Sequence, residues 1–303
     1  MILGHGLVSL AQEVRLEGKL VPIDVTVMDR DGNYVTDLKQ EDFILTHDGV
    51  NYPIAFFEAQ TTRSFTRPVA IVFALDVSGS LGVQVKDQQR AAQQFVRAMR
   101  QQAVCAVIGF NDRIHVYQNF TTDIEKLQQG FAKARNIGGR TRLYDAIDRA
   151  VTMLQRDAPA RVDGRRVRRL VVVVTDGFDY TSLISAPEVI RRANQAGVTV
   201  YAIILPSYIL SPQGKHRVPT LLDATGIVER TGGKTFSIDD QNYVQIFSEI
   251  AEEIRASYLL AFYPLSPPST GGRSHRLKVM TTRPGVQIRQ SRYEYSSALP
   301  SRR

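Results

Sequence analysis

The chain has 303 residues, of which 43% are hydrophobic and 22% charged, and its formal net charge is +8. This length predicts about two domains at about 150 residues each, and the composition excludes a disordered, collagenous or coiled-coil chain. The positive charge would suit an anionic partner, but no aromatic interleaving or recognition motif supports nucleic-acid binding. The apolar runs, such as 69–75 and 198–205, are far shorter than the about 18 residues of a membrane-spanning helix, so no transmembrane segment is predicted.

The amino-terminal residues 1–13 are interpreted as a tail or a remnant signal peptide. The weak apolar stretch MILGHGLVSLAQ ends in a Ser-Leu-Ala sequence that suits cleavage, but it has no positive start and its apolar part is interrupted. We expect a secreted, periplasmic or cell-surface protein. This end of the chain alone does not decide between export and a tail on a cytoplasmic protein.

An antiparallel β-rich segment is predicted for residues 14–62. Apolar residues occupy every second position over 21–27, which is the pattern of a half-buried strand. Further short strands are predicted at 43–46 and 54–57, on either side of an Asp-Gly turn.

Residues 63–257 alternate strand and helix patterns, which predicts an α/β domain with a mostly parallel central sheet wrapped by helices. Strands are predicted at 69–75, 103–110, 114–120, 170–175, 198–205 and 234–237, and helices at 83–100, 122–135, 143–155, 186–196, 221–230 and 241–255. The second and third strands are joined by a hairpin turn at 111–113. Thr122 and Glu125 have the spacing of a capping box, which predicts that Thr122 caps its helix.

Two features of this domain have structural interpretations. Cys105 is the single cysteine, so no intrachain disulfide or cysteine-based metal site is predicted, and it should pack as a small hydrophobic side chain.

Five arginines cluster over 161–169. We interpret them as a solvated connecting loop, with a docking site for an anionic partner as the alternative.

The β pattern returns over residues 258–296, with strands predicted at 257–263, 275–281 and 286–295. Each β-rich end is too small to bury a core alone. We therefore predict that the two ends pair into one small β-sandwich, with the α/β domain inserted between them. Residues 297–303 are a tail.

Polar residues follow the apolar strands at the edge where open α/β sheets bind ligands. Asp76, Ser78 and Ser80 follow the first strand of the domain, and Asp176 follows the fourth. Thr141 lies between them in a glycine-marked loop that enters a helix. The alternating spacing of the first three residues allows one tight turn to direct all three side chains to one point.

These residues offer two carboxylates and three hydroxyls, with no histidine or cysteine. Such hard oxygen donors suit Mg²⁺ or Mn²⁺ rather than Zn²⁺ or Cu²⁺. A metal held in this way would favour an incoming carboxylate from a partner at an open coordination position. This is binding chemistry, which requires no nucleophile and no base.

The sequence DVSGS at 76–80, the threonine of GGRTRLYDAI and the sequence TDG at 175–177 resemble the metal-ion-dependent adhesion site (MIDAS) of von Willebrand factor A-like (VWA) domains. The resemblance covers about 68–257 and implies a VWA fold that binds a protein ligand through a divalent ion. The positions that match the metal ligands of the family are Asp76, Ser78, Ser80, Thr141 and Asp176. A partner's Asp or Glu would complete the metal shell.

The flanks, including VTVMDRDGNY before the domain and HRLKVMTTRP after it, resemble bacterial VWFA-related proteins of the acidobacterial type. This resemblance covers about 14–295 and implies export, but it transfers little specific function.

Arg140 and Arg142 depart from the small or neutral residues expected beside the threonine, and their charge either favours acidic ligands or faces solvent. We assign Arg140, Arg142, Tyr144 and Phe178 to a partner-binding rim, although Tyr144 could simply pack.

Other functions are less well supported, and we predict that the protein is not an enzyme. A metal-assisted hydrolase would need a base, and the five histidines lie outside the site loops. A serine nucleophile at Ser78 would need a Gly-x-Ser-x-Gly elbow, and a phosphate site at 79–82 would need the lysine of a P-loop. A structural module of a cell-envelope assembly, with a metal that ties loops together, is the main alternative. The sequence names neither the partner nor the oligomeric state.

Nearby acidic residues are predicted to have structural roles. We expect Asp145 to interact with a helix dipole, Asp179 to fix a loop and Asp112 to form a turn.

The helix at 241–255 leads directly into a strand of the sandwich. Because VWA relatives shift this helix on ligand binding, we hypothesise that it couples metal occupancy to the sandwich.

Overall fold

A computed structural model describes residues 20–59, 67–78, 103–135, 138–205, 207–211, 214–239, 242–264 and 273–296. The predicted helix at 83–100, the candidate ligand Ser80 and the tails at 1–13 and 297–303 lie outside these described residues. Within the described residues, no helix has the length and apolar character needed to cross a membrane.

The strands and helices follow each other in an order close to the predicted one. The strands are β1 (Val21–Met28), β2 (Phe43–His47), β3 (Val50–Tyr52), β4 (Phe56–Ala59), β5 (Val69–Asp76), β6 (Ala103–Phe110), β7 (Ile114–Thr121), β8 (Arg161–Val162), β9 (Arg165–Arg166), β10 (Arg168–Thr175), β11 (Val198–Ile204), β12 (Tyr208–Ser211), β13 (Gly214–Arg217), β14 (Thr235–Ser237), β15 (Ser257–Phe262), β16 (Ser274–Thr281), β17 (Gln287–Gln290) and β18 (Glu294–Ser296). The α-helices are α1 (Ile124–Lys133), α2 (Leu143–Arg156), α3 (Ala186–Ala196), α4 (Leu221–Thr225) and α5 (Tyr243–Arg255). Short 3₁₀ helices span Gln40–Asp42 and Glu229–Thr231.

The α/β domain is built on a six-stranded sheet with the order β14-β11-β10-β5-β6-β7. All neighbouring strands are parallel except the edge strand β7, which pairs antiparallel with β6 through the predicted hairpin. Every residue of β5 and of β11 is buried. Continuous apolar runs form these strands because helices cover both faces of the sheet.

The helices divide between the two faces of this sheet. Helices α2 and α3 pack with one set of strand side chains into one apolar cluster, and α1 and α5 pack with the other set into a second cluster. Cys105 is fully buried in the second cluster, which confirms its interpretation as a packed hydrophobic residue.

The two chain ends form a β-sandwich, as predicted. Its two sheets have the orders β17-β1-β15-β4 and β18-β16-β2-β3, so each contains strands from before and after the α/β domain. A third apolar cluster fills the space between the sheets. Strand β15 follows α5 after only Ala256. The fold is therefore a VWA-type α/β domain with additional antiparallel sheets, while the exact domain limits stay a prediction.

Several local predictions were wrong. Asp123, not Thr122, caps α1, and its carboxylate accepts hydrogen bonds from the amides of Glu125 and Lys126. The predicted strand at 54–57 is replaced by β3 and β4, which pair with different neighbours. Between the predicted strand at 198–205 and the predicted helix at 221–230, where no strand was predicted, the chain forms the hairpin β12–β13.

The last predicted strand, at 286–295, is also divided. It consists of β17 and β18, which belong to opposite sheets of the sandwich. The chain changes sheet between them through Ser291, Arg292 and Tyr293.

The arginine cluster is not a solvated loop throughout. Its first part forms the hairpin β8–β9, but Arg168 at the start of β10 is only 2% exposed. Its guanidinium donates to the hydroxyl of Ser257 at 2.9 Å, at the point where the α/β domain meets the sandwich. Arg168 therefore joins the two parts of the fold.

Candidate metal centre

The candidate site lies at the carboxyl ends of two adjacent parallel strands. Asp76 is the last residue of β5, and Asp176 follows the end of β10 directly. Since β5 and β10 are paired in register, both chain segments leave the sheet at the same edge. Thr141 comes just before α2 and reaches this edge from the loop that precedes the helix.

Hydrogen bonds join the described donor groups of the site. Oδ1 of Asp76 accepts from the backbone amide of Ser78 at 2.9 Å and from its hydroxyl at 2.5 Å. The hydroxyl of Thr141 donates to Oγ of Ser78 at 3.1 Å. Oδ2 of Asp76 accepts from the hydroxyl of Thr175 at 2.8 Å. The structure thus brings together three of the five predicted ligands within one hydrogen-bonded group.

The buried negative charge of Asp76 favours a bound cation at the site. Asp76 is 0% exposed, and none of the ion pairs among the described residues includes it. Burial raises the pKa of Asp76 even though three hydrogen bonds lower it, and the nearby carboxylate of Asp176 raises it further. A buried carboxylate without a positive partner is costly, and a bound divalent ion would offset that cost.

Direct backbone contacts hold two of the three site loops, the threonine loop and the loop after β10. The amide of Arg142 donates to the carbonyl of Asn111 at 2.9 Å, which attaches the threonine loop to the β6–β7 turn. The amide of Tyr180 donates to the carbonyl of Thr141 at 3.0 Å, which attaches it to the loop after β10. Gly177 in that loop has a φ of +83°.

The predicted rim residues differ in their surroundings. Arg140 is exposed, whereas Arg142 forms an ion pair with Asp145 at 2.8 Å. Tyr144 is half-buried against the cluster of α2 and α3, in agreement with the packing alternative. The Phe178 ring stacks with a neighbouring tyrosine, with ring centroids 6.3 Å apart.

The nearby acidic residues organise the loops. Asp145 in the first turn of α2 accepts from the backbone amides of Leu183 and Ile184, each at 3.0 Å. Asp179 accepts from the hydroxyl of Ser182 at 2.5 Å, as expected for a loop-fixing residue.

Sequence reasoning missed three residues here. Thr175 supports the carboxylate of Asp76, while Tyr180 and Leu183 expose 65% and 88% of their surface beside the site. The only signal for Thr175 was its position immediately before Asp176 at a strand end.

The residues present fit a divalent cation. The described donors are carboxylate and hydroxyl oxygens, which are typical ligands of hard cations, and the buried Asp76 has no ion-pair partner among the described residues. Thr175 and the amide of Ser78 orient Asp76 from the protein side.

Comparisons with solved structures show related folds at low identity. Proximal thread matrix protein 1 from the mussel byssus, with a zinc-occupied MIDAS motif, is 14% identical with a TM-score of 0.50, and the match covers 66% of this chain and 48% of that chain. An aerotolerance-related membrane protein from Bacteroides fragilis is 18% identical with a TM-score of 0.48 and coverage of 61% and 98%. BatB from Bacteroides thetaiotaomicron is 18% identical with a TM-score of 0.47 and the same coverage. This chain spans about half the length of the mussel protein.

A comparison with curated protein sequences found no significant match. The family model described as the von Willebrand factor type A domain, however, matches residues 70–243, which is more than half of the chain. The matched range contains the six-stranded sheet and the described candidate ligands. On this basis the chain belongs to the von Willebrand factor type A domain family.

Proposed function

We propose that this chain is a divalent-metal-dependent protein-binding module. The proposed ligands of Mg²⁺ or Mn²⁺ are Asp76, Ser78, Ser80, Thr141 and Asp176. A carboxylate from an Asp or Glu of the partner protein would complete the metal shell. The family consists of metal-dependent protein-interaction modules that are generally not catalytic, which supports a binding role.

The buried carboxylate of Asp76, which has no cationic partner among the described residues, is the observation that carries this proposal. It lies at the ligand-binding edge of the sheet and is held by Ser78 and Thr175 rather than by a basic residue. The bound cation would supply positive charge that attracts an anionic group of the partner. The protein side chains hold the carboxylate in place before the partner arrives.

A metal that only ties loops together is less well supported. The loops already contact each other through the amides of Arg142 and Tyr180, and the amide of Leu222 donates to the carbonyl of Gly177 at 3.1 Å. These contacts hold the threonine loop and the loop after β10 together without an ion. A metal at this edge is therefore better used for binding a partner.

The surroundings of the site suit a protein partner. Arg140 is exposed and adds positive charge beside Thr141, which favours an acidic segment. Tyr180 and Leu183 expose apolar surface on the loop after Asp176. Exposed aromatic and aliphatic side chains next to a charged centre are common in protein interfaces.

Calorimetric titration of Mg²⁺ and Mn²⁺ into the wild-type chain and into Asp76→Ala tests the metal site. We expect saturable binding in the wild type and none in the variant. Asp157→Ala is the matched control, because Asp157 is an exposed acidic residue at the other end of α2. Equal binding by wild type and Asp76→Ala would contradict the proposal.

Paired peptide arrays test the partner chemistry. Each Asp- or Glu-containing peptide is placed beside its Asn or Gln counterpart, and both are probed with the chain in Mg²⁺ and in EDTA. We expect binding to the acidic members that requires Mg²⁺ and is lost in Asp76→Ala. A metal that changes the melting temperature without any effect on peptide binding would instead support the loop-tying role.

A further inference from the structure

The β-sandwich contains a second cluster of potential metal ligands, remote in sequence from the candidate site in the α/β domain. His47 ends β2, Asp48 follows it in the turn to β3, and His275 lies near the start of β16. One nitrogen from each imidazole and one oxygen from the carboxylate all lie within 4.8 Å of one another. Nδ1 of His275 is 2.8 Å from Oδ2 of Asp48.

The three side chains are held by regular structure. Strands β2 and β16 are paired antiparallel, with His47 opposite Leu277. Asp48 and Gly49 have φ values of +51° and +85°, as expected for a two-residue type I′ turn. The carboxylate of Asp48 is also fixed by the amide of Arg276, which donates to Oδ1 at 2.8 Å.

Aromatic packing orients the two imidazole rings. The rings of His47 and His275 stack with centroids 4.7 Å apart and planes 27° apart. Tyr295 contacts both rings, with centroid distances of 5.6 Å to His47 and 5.1 Å to His275. Ligands that are already oriented lose little freedom when an ion binds.

One polar atom of the cluster lacks a partner. Nε2 of His47 is buried and makes no hydrogen bond within the described part of the chain. Buried polar atoms are rarely left unsatisfied, so this atom requires an explanation.

The donor set selects a class of ion. Two imidazole nitrogens and one carboxylate suit Zn²⁺ and related transition metals, whereas Mg²⁺ and Ca²⁺ prefer oxygen ligands. Zinc bonds of about 2.0–2.1 Å place ligand atoms roughly 3.3 Å apart, so small side-chain rotations would bring the three atoms into one shell. Water can take the fourth position because Asp48 is 43% exposed.

We propose that His47, Asp48 and His275 form a binding site for a divalent transition-metal ion of the zinc class. The site joins the β2–β3 turn to β16, and so connects the chain segments before and after the inserted α/β domain. It uses a donor chemistry different from that of the oxygen site at the edge of the six-stranded sheet. An ion at this position would stabilise the sandwich by linking residues more than 200 positions apart in the sequence.

The test is calorimetric titration of Zn²⁺ into the untagged full chain in the Asp76→Ala background, with Mg²⁺ in excess. This background removes the proposed ion at the other site, so any saturable Zn²⁺ binding reports on the sandwich. We expect one equivalent to bind. Adding His275→Gln removes a ligand and should weaken the affinity by more than the about 10-fold to 100-fold that loss of a supporting group costs.

Asp48→Asn is the second variant, because asparagine tolerates the same turn conformation and removes only the charged ligand. His115→Gln on β7 is the matched control, since His115 is exposed and distant in sequence from the cluster. We expect weaker Zn²⁺ binding in Asp48→Asn and unchanged binding in His115→Gln. Absence of saturable Zn²⁺ binding in the Asp76→Ala background, or equal affinity in all three variants, would overturn the proposal. Neither result would affect the proposed Mg²⁺ site, which is measured in the wild type.

Discussion

Asp76 combines two properties that rarely occur together in one side chain. It is fully buried at the end of a strand, and among the described residues it receives hydrogen bonds only from Ser78 and Thr175 rather than from a basic group. Burial of this kind disfavours the charged carboxylate, and a cation reverses that preference. If Asp76 holds the proposed metal ion, it destabilises the metal-free chain and contributes to the affinity for the ion.

Asp76→Asn should separate these two effects. Without metal, we expect the free energy of unfolding at neutral pH to rise by about 1–3 kcal/mol, because the buried charge is removed while the amide oxygen still accepts from Ser78. With saturating Mg²⁺, the wild type should gain stability and the variant should not. Urea unfolding in EDTA and in Mg²⁺ measures both values. A variant that is less stable than the wild type in EDTA would contradict the prediction.

Asp24 is the opposite kind of buried carboxylate. It lies in β1 of the sandwich and accepts a short hydrogen bond from the guanidinium of Arg67, close to Arg168. Burial opposes ionisation of Asp24, but the positive charges of Arg67 and Arg168 outweigh it and lower its pKa. The pKa values of these two carboxyl groups are thus shifted in opposite directions, because within the described part of the chain only Asp24 has cationic neighbours.

The lowered pKa of Asp24 predicts an acid-dependent loss of stability. The unfolded chain has the ordinary pKa of about 3.9, so the contribution of Asp24 is present above that pH and is lost as the pH falls through the lower folded value. At neutral pH, Asp24→Asn removes the ion-pair partner of the buried Arg67 guanidinium and should cost about 3–5 kcal/mol. The unfolding free energies of the wild type and of Asp24→Asn are measured from neutral pH down to pH 3, and the difference between them should become smaller as the pH falls. A constant difference over this range would contradict the assignment.

At the scale of elements, the site depends on how its loops pack. A Cβ atom at Gly177 would lie 2.6 Å from Cβ of Thr220, just before α4. Gly177 also has a positive φ, so both its backbone conformation and its close approach require glycine. The loop that carries Asp176 is therefore positioned by direct contact with the start of α4.

Gly177→Ala compared with Gly164→Ala separates close packing from backbone strain. Gly164 has a φ of +75°, but a Cβ atom there meets nothing within 4 Å. Gly164→Ala should cost only the strain of about 1–2 kcal/mol. Gly177→Ala should lower the free energy of unfolding by about 1–3 kcal/mol more than this, because the added Cβ overlaps Thr220. It should also weaken Mg²⁺ binding. Equal unfolding free energies for the two variants, from urea titration, would contradict this account.

The elements that the sequence predicted well are those with an unambiguous pattern. Strand β5 consists of eight buried residues, a continuous run of seven apolar residues followed by Asp76, and its bounds were predicted to within one residue. The hairpin β12–β13 was missed because its strands have only four residues each, with three apolar residues before Ser211 in the first and polar residues after Gly214 in the second. None of the side chains of these strands whose burial is described is buried, so no alternation of buried and exposed residues marks them in the sequence.

The two candidate metal sites differ in the same way in how far the sequence predicts them. Asp76 and Ser78 were found because their spacing after a buried strand follows the sheet geometry. His47 and His275 were missed as a cluster because the pairing of β2 with β16 brings together residues that are far apart in sequence. Single histidines in separate strands give no local sign of such a contact.

At the scale of the whole molecule, Glu253 links the α/β domain to the sandwich. It lies in α5, is 0% exposed, and accepts from Arg289 of β17 at 2.6 Å and from the hydroxyl of Tyr201 of β11 at 2.6 Å. Burial and the adjacent carboxylate raise the pKa of Tyr201, so it remains a hydrogen-bond donor. One side chain thus connects the last helix, the six-stranded sheet and the sandwich. This contact gives a physical route for the hypothesis that α5 couples metal binding to the sandwich.

Glu253→Gln should weaken this junction more than the rest of the molecule. The variant leaves the guanidinium of Arg289, which is 16% exposed, without its anionic partner, and we expect a loss of about 3–5 kcal/mol. Amide hydrogen exchange should increase more in β17 and β1 than in β5, at the centre of the six-stranded sheet. Glu252→Gln is the matched control, because Glu252 is the exposed neighbour on the same helix and should change little. If exchange rose equally in β5 and β17, Glu253 would support the fold as one unit, and it could not couple two separately responding parts.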